Sequence, residues 1–198
     1  MSKKLNLAVF ISGSGSNLQS IIDACEAEDY PAKVKLVVSN NPEAYGLVRA
    51  KNANIPSVII NHKSFKTRQD FESAITKELT KQPIDLICLA GFMRILTANF
   101  ISQWPDQIIN THPSLLPKFG GEGMFGDNVH KAVIAARETQ SGASIHYVIP
   151  EVDKGRLIAQ ISVPVLENDT YETLGERVRA EEHELYVNAI KKIAIERT

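Results

Sequence analysis

The chain has 198 residues, 43% of them apolar and 23% charged, with a formal net charge of −1. That length suits one domain, expected over 1–198, and that composition can bury a core. The charge balance gives no bulk attraction to nucleic acid or to an anionic membrane, and two cysteines make neither a disulfide framework nor a metal spacing.

The opening MSKKLNLAVFISGSG has too short an apolar run for a signal peptide, and no segment is long enough to span a bilayer. A cytoplasmic location is expected. Leu5–Ile11 is continuously apolar, as in a strand covered on both faces. The loop SGSGSN follows, and then a helical pattern with Leu18, Ile21, Ile22 and Cys25 on one face. Strand, glycine loop and helix open a βαβ unit. Gly13 and Gly15 let backbone N–H groups approach an anion, and the helix start adds donors and positive partial charge. Leu18 replaces the third glycine of the dinucleotide fingerprint, and the next strand, 34–39, runs into Asn40 and Asn41 instead of an acidic residue. No lysine follows the second glycine, so the loop is not a P-loop either. A single phosphate on a small molecule fits better. The alternative is a helix capped by Ser16 or Asn17, with no ligand.

A second helix is predicted over 44–52 and a third strand over 57–60. Over 68–82, charges alternate with Phe71, Ile75 and Leu79, the pattern of a surface helix with Arg68 on its exposed first turn. The apolar stretch 84–90 reads as a central strand ending in GFMRIL. Gly91 permits close backbone approach. Phe92, Met93, Ile95 and Leu96 are either core or the wall of a pocket for a flat ligand. A short helix over 97–103 is closed by Trp104 and Pro105.

The stretch 108–117 reads IINTHPSLLP. Side chains alternate along a strand, so Ile108, Asn110 and His112 share one face, and Ile109 and Thr111 the other. Residues two apart are roughly 6.6 Å apart, so Asn110 and His112 can flank one small reacting group. Pro113 ends the ladder at His112. An amide that can donate to an oxyanion and an imidazole that can move a proton then sit side by side. A plain strand end with a hydrogen-bonded histidine is the competing reading.

Residues 119–126, FGGEGMFG, hold four glycines and read as a flexible loop or lid. A helix over 127–137 follows. Strands over 143–149 and 157–163 are joined by PEVDKG, where Asp153 and Gly155 have turn chemistry. The turn by itself accounts for Asp153, and His146, between Ile145 and Tyr147, reads as structural. A long helix over 170–196 buries Leu174, Val178, Leu185, Ala189 and Ile193. At about 100° per residue, Glu182 falls inside that stripe. A carboxylate there needs a partner, either an arginine or the hydroxyls of a ligand. Arg179 lies one turn earlier, at the stripe's edge. The loops SGSGSN, GFMRIL and NTHPS each follow a strand's carboxyl end, the edge where open parallel sheets bind ligands.

In order and spacing, ISGSGSN, LAGFMRIL, NTHPSLLP and the Asp-x-Gly turn resemble the phosphoribosylglycinamide formyltransferase family, folate-dependent enzymes of purine synthesis. The resemblance covers about 5–191. It implies an α/β, Rossmann-like, mostly parallel sheet with helices on both faces. It implies formyl transfer from 10-formyltetrahydrofolate, the donor cosubstrate, to the amine of glycinamide ribonucleotide, without a metal. By resemblance, Gly15, Ser16 and Asn17 match the phosphate loop, Glu182 a ribose contact, and Arg179 a position near the phosphate. Arg68, Met93, Arg94, Ile95 and Leu96 match the folate side, joined by Asn110. Asn110 and His112 match the catalytic pair. Asp153 matches the carboxylate that raises the histidine's pKa, which overrides its reading as turn chemistry alone. Many members have proline where Gly120 stands, and a different loop over 121–128.

Other readings stay open. A methionyl-tRNA formyltransferase-like enzyme shares the folate site and an SLLP-type block, but its basic C-terminal domain is not found in this chain. A formyltetrahydrofolate hydrolase carries a regulatory N-terminal domain that is likewise not found. A non-catalytic nucleotide-sensing domain would use the SGSGSN loop alone. A nicotinamide dehydrogenase is disfavoured by Leu18, Asn40 and Asn41. The expected partners are small-molecule substrates, with no nucleic acid and no membrane, and the expected state is a monomer or weak homodimer.

Overall fold

The structure, a computed structural model, describes residues 4–197. Residues 1–3 and 198, the ends of the expected domain, lie outside the described residues. Strand β1 (Leu5–Ile11) is buried along its whole length. It pairs in parallel with β2 (Ala32–Ser39) on one side and β4 (Leu86–Leu89) on the other. β3 (Ser57–Ile59) extends the sheet beyond β2, and β5 (Ile108–His112) extends it beyond β4, again in parallel. β6 (Gln140–Tyr147) and β7 (Leu157–Pro164) add an antiparallel flank. The seven strands run in the order β3-β2-β1-β4-β5-β6-β7. This is the mostly parallel, Rossmann-like sheet that the family resemblance implies.

The alternation of side chains along β1 divides the interior in two. Leu7, Val9 and Ile11 pack on one face of the sheet, with α1 (Ser16–Glu26) and the long α6 (Tyr171–Glu196). Leu47 and Ala50 of α2 (Gly46–Asn52) and Val129 and Val133 of α5 (Asp127–Ala135) pack on the same side. Ala8 and Phe10 face the other core, covered by α3 (Arg68–Leu79) and α4 (Ala98–Ser102). Both faces are dry, so the central strands lack polar alternation.

The predicted boundaries move at several ends. β6 begins at Gln140 instead of 143 because Gln140, Ser141 and Gly142 pair with Pro164, Val163 and Ser162 of β7. β2 starts two residues earlier than predicted, where Ala32 pairs with Leu5. α6 starts at Tyr171, because Thr170 is its cap: the Thr170 hydroxyl accepts from Thr173 N–H while the Thr173 hydroxyl accepts from Thr170 N–H.

The chain leaves β1 toward β2 and β3, then returns to β4 and β5 on the opposite side. Strand order therefore reverses between β1 and β4. The loops that leave β1, β4 and β5 face one another across that crevice, the place where such sheets bind ligands.

Candidate active site

A cavity of about 810 Å³ opens at this edge. Its wall includes Asn110, His112, His146 and Asp153 at one end of the sheet. It also includes Asn17, Arg179 and Glu182 on the helical side, and Met93, Arg94, Ile95 and Leu96 from the loop after β4. Gly15 and Ser16 stand at the start of α1, outside this wall, and Arg68 lies on the exposed first turn of α3, also outside it.

Asn110 and His112 end β5, as the position of Pro113 requires. His112 is 4% exposed. Its Nδ1 lies 3.4 Å from Asp153 Oδ2, and its Nε2 lies 2.7 Å from the Phe119 carbonyl. Both neighbours are acceptors, so a ring that donates to each carries both protons. Asp153 arrives from the turn between β6 and β7 with φ +57, a left-handed conformation that aspartate tolerates in turns. Gly155 is obligatory there, because a Cβ would stand 1.7 Å from the Tyr147 carbonyl oxygen. Turn chemistry and site chemistry are thus one feature at Asp153. Burial pushes its carboxyl up, but the hydrogen bond from the Gly121 N–H at 2.9 Å and the nearby rings of His146 and His112 together outweigh burial. The carboxyl ends below the usual carboxylate range.

His146 adds to the sequence reading. It is structural in its burial, at 3% exposed, yet it lines the cavity. Its Nδ1 is 2.9 Å from the Tyr147 carbonyl, and its Nε2 is 3.3 Å from Asn110 Nδ2 and 3.6 Å from Asp153 Oδ1. Asn110, His146, Asp153 and His112 therefore form one continuous polar chain. Only the β5–β6 register, which sets Asn110 opposite His146, reveals this.

Glu182 sits in the buried stripe of α6 as predicted, and its protein partners are two neutral donors and not an arginine. Asn17 Nδ2 donates to Glu182 Oε1 at 2.9 Å and the Thr111 hydroxyl donates to the same oxygen at 2.7 Å. Thr111, on the opposite face of β5 from Asn110, thereby joins the site, and the cavity wraps both faces of the strand end. Asn17 Oδ1 is buried without a partner. His130 of α5, also in the wall, packs on Gly175 and keeps a buried Nδ1 without a partner. Desolvation lowers its pKa.

No side chain caps α1: the capping residue is Gly15, at φ +69, and neither Ser16 nor Asn17 does the job. The first-turn N–H groups are left for another acceptor. The glycine loop is fixed from behind. Gly46 N–H donates to the Gly13 carbonyl at 3.1 Å, and Arg49 Nε donates to the Ser14 carbonyl at 2.9 Å. A Cβ on Gly15 would lie 2.7 Å from Gly46 Cα.

The wall after β4 is tied to the same loop. Ser12 N–H donates to the Gly91 carbonyl at 3.1 Å, and Met93 N–H donates to the Ser12 hydroxyl at 2.8 Å. Phe92 and Leu96 are buried in the core and still contribute to the wall, whereas Met93 and Ile95 stay half exposed at the cavity mouth. Core and pocket readings of this loop therefore both hold, and they overlap at Phe92 and Leu96. At its far end, the buried Glu72 accepts from Thr97 N–H at 2.7 Å and from the Thr97 hydroxyl. Among the described residues no group of three or more His, Cys, Asp or Glu could hold a metal ion, and no helix is long and apolar enough to cross a membrane.

The cavity thus reaches the first turn of α1 at Asn17 and joins a buried acidic group flanked by donors, a donor–imidazole–carboxylate chain and an apolar wall. Residues 5–190 match the family model described as formyl transferase. A phosphoribosylglycinamide formyltransferase of Haemophilus influenzae is 43% identical over 185 residues, 93% of this chain and 85% of that protein. The human trifunctional purine biosynthetic protein adenosine-3 is 43% identical over 192 residues; this chain spans 97% of itself there but only 18% of that protein's length. The crystal structure of phosphoribosylglycinamide formyltransferase from Brucella melitensis superposes with a TM-score of 0.90 at 40% identity, covering 97% of this chain and 96% of that one. Matched along nearly its whole length by that family's model and by these relatives, the chain belongs to the formyl transferase family.

Proposed function

We propose that this protein transfers a formyl group from 10-formyltetrahydrofolate to the amine of glycinamide ribonucleotide, giving formylglycinamide ribonucleotide and tetrahydrofolate. The observation that carries this reading is the position of the Asn110–His146–Asp153–His112 chain between two differently built half-sites. On the helical side, the free N–H groups after Gly15, at Ser16 and Asn17, take the phosphate, with Arg179 beside them. Glu182 takes the ribose hydroxyls, exchanging the donors it now holds. On the other side, the Met93–Leu96 wall takes the flat folate ring, and Arg68 and Arg94 face its anionic tail.

The amine attacks the formyl carbon, and the carbonyl oxygen becomes an oxyanion. An Asn110 N–H and the protonated His112 ring stabilise it. The oxyanion then collapses and the bond from the formyl carbon to the folate nitrogen breaks as His112 gives that nitrogen a proton; the attacking nitrogen gives up its extra proton to His112, restoring the imidazolium that Asp153 holds by opposite charge. His112 Nε2 is engaged by the Phe119 carbonyl in this structure. That carbonyl begins the glycine-rich 119–126 loop, so movement of the loop frees the donor for the reaction. The residue after it departs from many family members: a Cβ on Gly120 would lie 2.6 Å from Leu116 Cδ2 and 3.2 Å from Asp153 Cβ.

The test is release of tetrahydrofolate from 10-formyltetrahydrofolate, with glycinamide ribonucleotide, methionyl-tRNA or water alone as acceptor. Release with the ribonucleotide only is the expected result. Release with water alone identifies a hydrolase, and release with tRNA identifies the other transferase. Ribonucleotide binding with no release in any mixture identifies a sensor domain.

A further inference from the structure

We propose that His146 is a positioning residue: it holds the Asn110 amide with its NH2 end turned toward the reacting centre. The inference rests on the reading above, in which that amide donates to the oxyanion.

An asparagine amide can rotate end for end, and its two ends have opposite polarity. NH2 outward stabilises an oxyanion, whereas C=O outward repels one. Something must select the end. Asn110 faces His146 directly in the β5–β6 register, and the two side chains meet at 3.3 Å. The other ring nitrogen of His146 is 2.9 Å from the Tyr147 carbonyl. A carbonyl only accepts, so Nδ1 carries a proton. In the neutral ring Nε2 is then a bare lone pair. A lone pair at 3.3 Å accepts from the amide NH2 and opposes the amide oxygen. One amide hydrogen is spent on the ring, and the second is left to point into the cavity that Asn110 lines.

The lock is itself built in. The ring is 3% exposed, so water does not compete for Nε2. Gly155 lets the turn backbone close against the Tyr147 carbonyl, which defines the tautomer. The ladder between β6 and β7 is irregular between Ile145 and His146, where His146 pairs with Leu157. Of the titratable groups that face the ring, Asp153 is nearest, with Oδ1 at 3.6 Å from Nε2, and His112 lies beyond that carboxylate. Arg156 turns aside and stacks over the Tyr147 ring at 4.4 Å. A proton on Nε2 would make it a donor, give it to Asp153 and release the Asn110 amide. The arrangement therefore works with His146 neutral and Asp153 ionised.

Two measurements test this. In protein labelled with 15N-histidine, long-range 1H–15N correlation at neutral pH is expected to show His146 with a proton on Nδ1 and none on Nε2. A proton on Nε2 with a bare Nδ1 overturns the proposal, without recourse to any variant. In turnover assays, His146→Leu is expected to lower kcat about 100-fold, close to the effect of Asn110→Ala, with both KM values changed far less. His146→Gln, whose carbonyl also accepts, recovers most of the loss. In Asn110→Ala the further change His146→Leu has little effect, because the two residues act as a unit. Near-normal kcat in a folded His146→Leu protein, with Asn110→Ala inactive, refutes the positioning role and leaves the oxyanion assignment standing. Near-normal kcat in Asn110→Ala refutes that assignment itself.

Discussion

Asn110 and His112 both line the cavity from the end of β5. Removing one donor to a developing oxyanion typically costs about 2.7–4 kcal/mol of barrier. Asn110→Ala and His112→Ala are each expected to lower kcat by roughly 100- to 1,000-fold, with far smaller changes in KM; steady-state kinetics with both substrates checks this. Glu182 gives a different signature. It holds Asn17 and Thr111, so Glu182→Ala strands two buried donors and is expected to destabilise by about 1–3 kcal/mol in urea unfolding. Glu182→Gln keeps an acceptor and spares the fold, but raises KM for the ribonucleotide with kcat nearly unchanged. Asp153 sets a pH dependence. Its carboxyl is 8% exposed and lies below the usual range in the folded state. The folded protein therefore binds this proton less readily than the unfolded chain. The resulting stability is present above about pH 4, the ordinary carboxyl value, and is lost as pH falls through the depressed folded value. Urea midpoints of the unmodified protein and Asp153→Asn should differ at pH 7 and converge toward acid.

At the scale of elements, the site depends on how strands end. β5 stops at Pro113, and the β6–β7 turn stops at Gly155 with the Tyr147 carbonyl against it. Gly155→Ala places a methyl group 1.7 Å from that oxygen, so the turn must open. A loss of about 3 kcal/mol or more is expected in thermal or urea unfolding, and kcat falls with it because Asp153 rides on the same turn. Much of this was legible beforehand. Pro113 marks the end of β5, the glycines mark the α1 loop, and the helical period puts Glu182 inward. His146 was not legible, because β6 is buried along nearly all its length and its alternation points to no site. Its role follows from an antiparallel pairing across a long connection, which local pattern does not encode. Thr111 escaped for a related reason. A strand end inside a concave wall exposes both of its faces, and period-2 reasoning assigns only one of them to the site.

For the whole molecule, the cavity lies where sheet order reverses, with α6 on one side and the β4 loop on the other. On the proposed reading, substrates bind only when these parts are assembled. Ligand binding to the folded state alone adds about 2.7 kcal/mol at a concentration 100 times Kd. For a chain of this size that is a rise of roughly 5–10 °C in Tm. Scanning calorimetry with glycinamide ribonucleotide should show it, and Gly15→Ala should abolish it, since a Cβ there meets Gly46 Cα at 2.7 Å and the φ is +69. Neither cysteine adds a competing chemistry: burial pushes the Cys25 thiol up to about 11 and raises that of Cys88 further.

The sequence by itself determined the α/β class, the order of strands and helices, and three loops at the carboxyl ends of strands. These are written in local periodicity and in glycine and proline positions, which act over a few residues. It also carried the family motifs that name Asn110, His112 and Asp153. Only the tertiary structure decided what meets what: Asn17 and Thr111 on Glu182, His146 between Asn110 and Asp153, and the Phe119 carbonyl on His112. The reason is physical. Each contact joins residues from different elements, and its distance is set by sheet register and helix packing, which depend on the whole core.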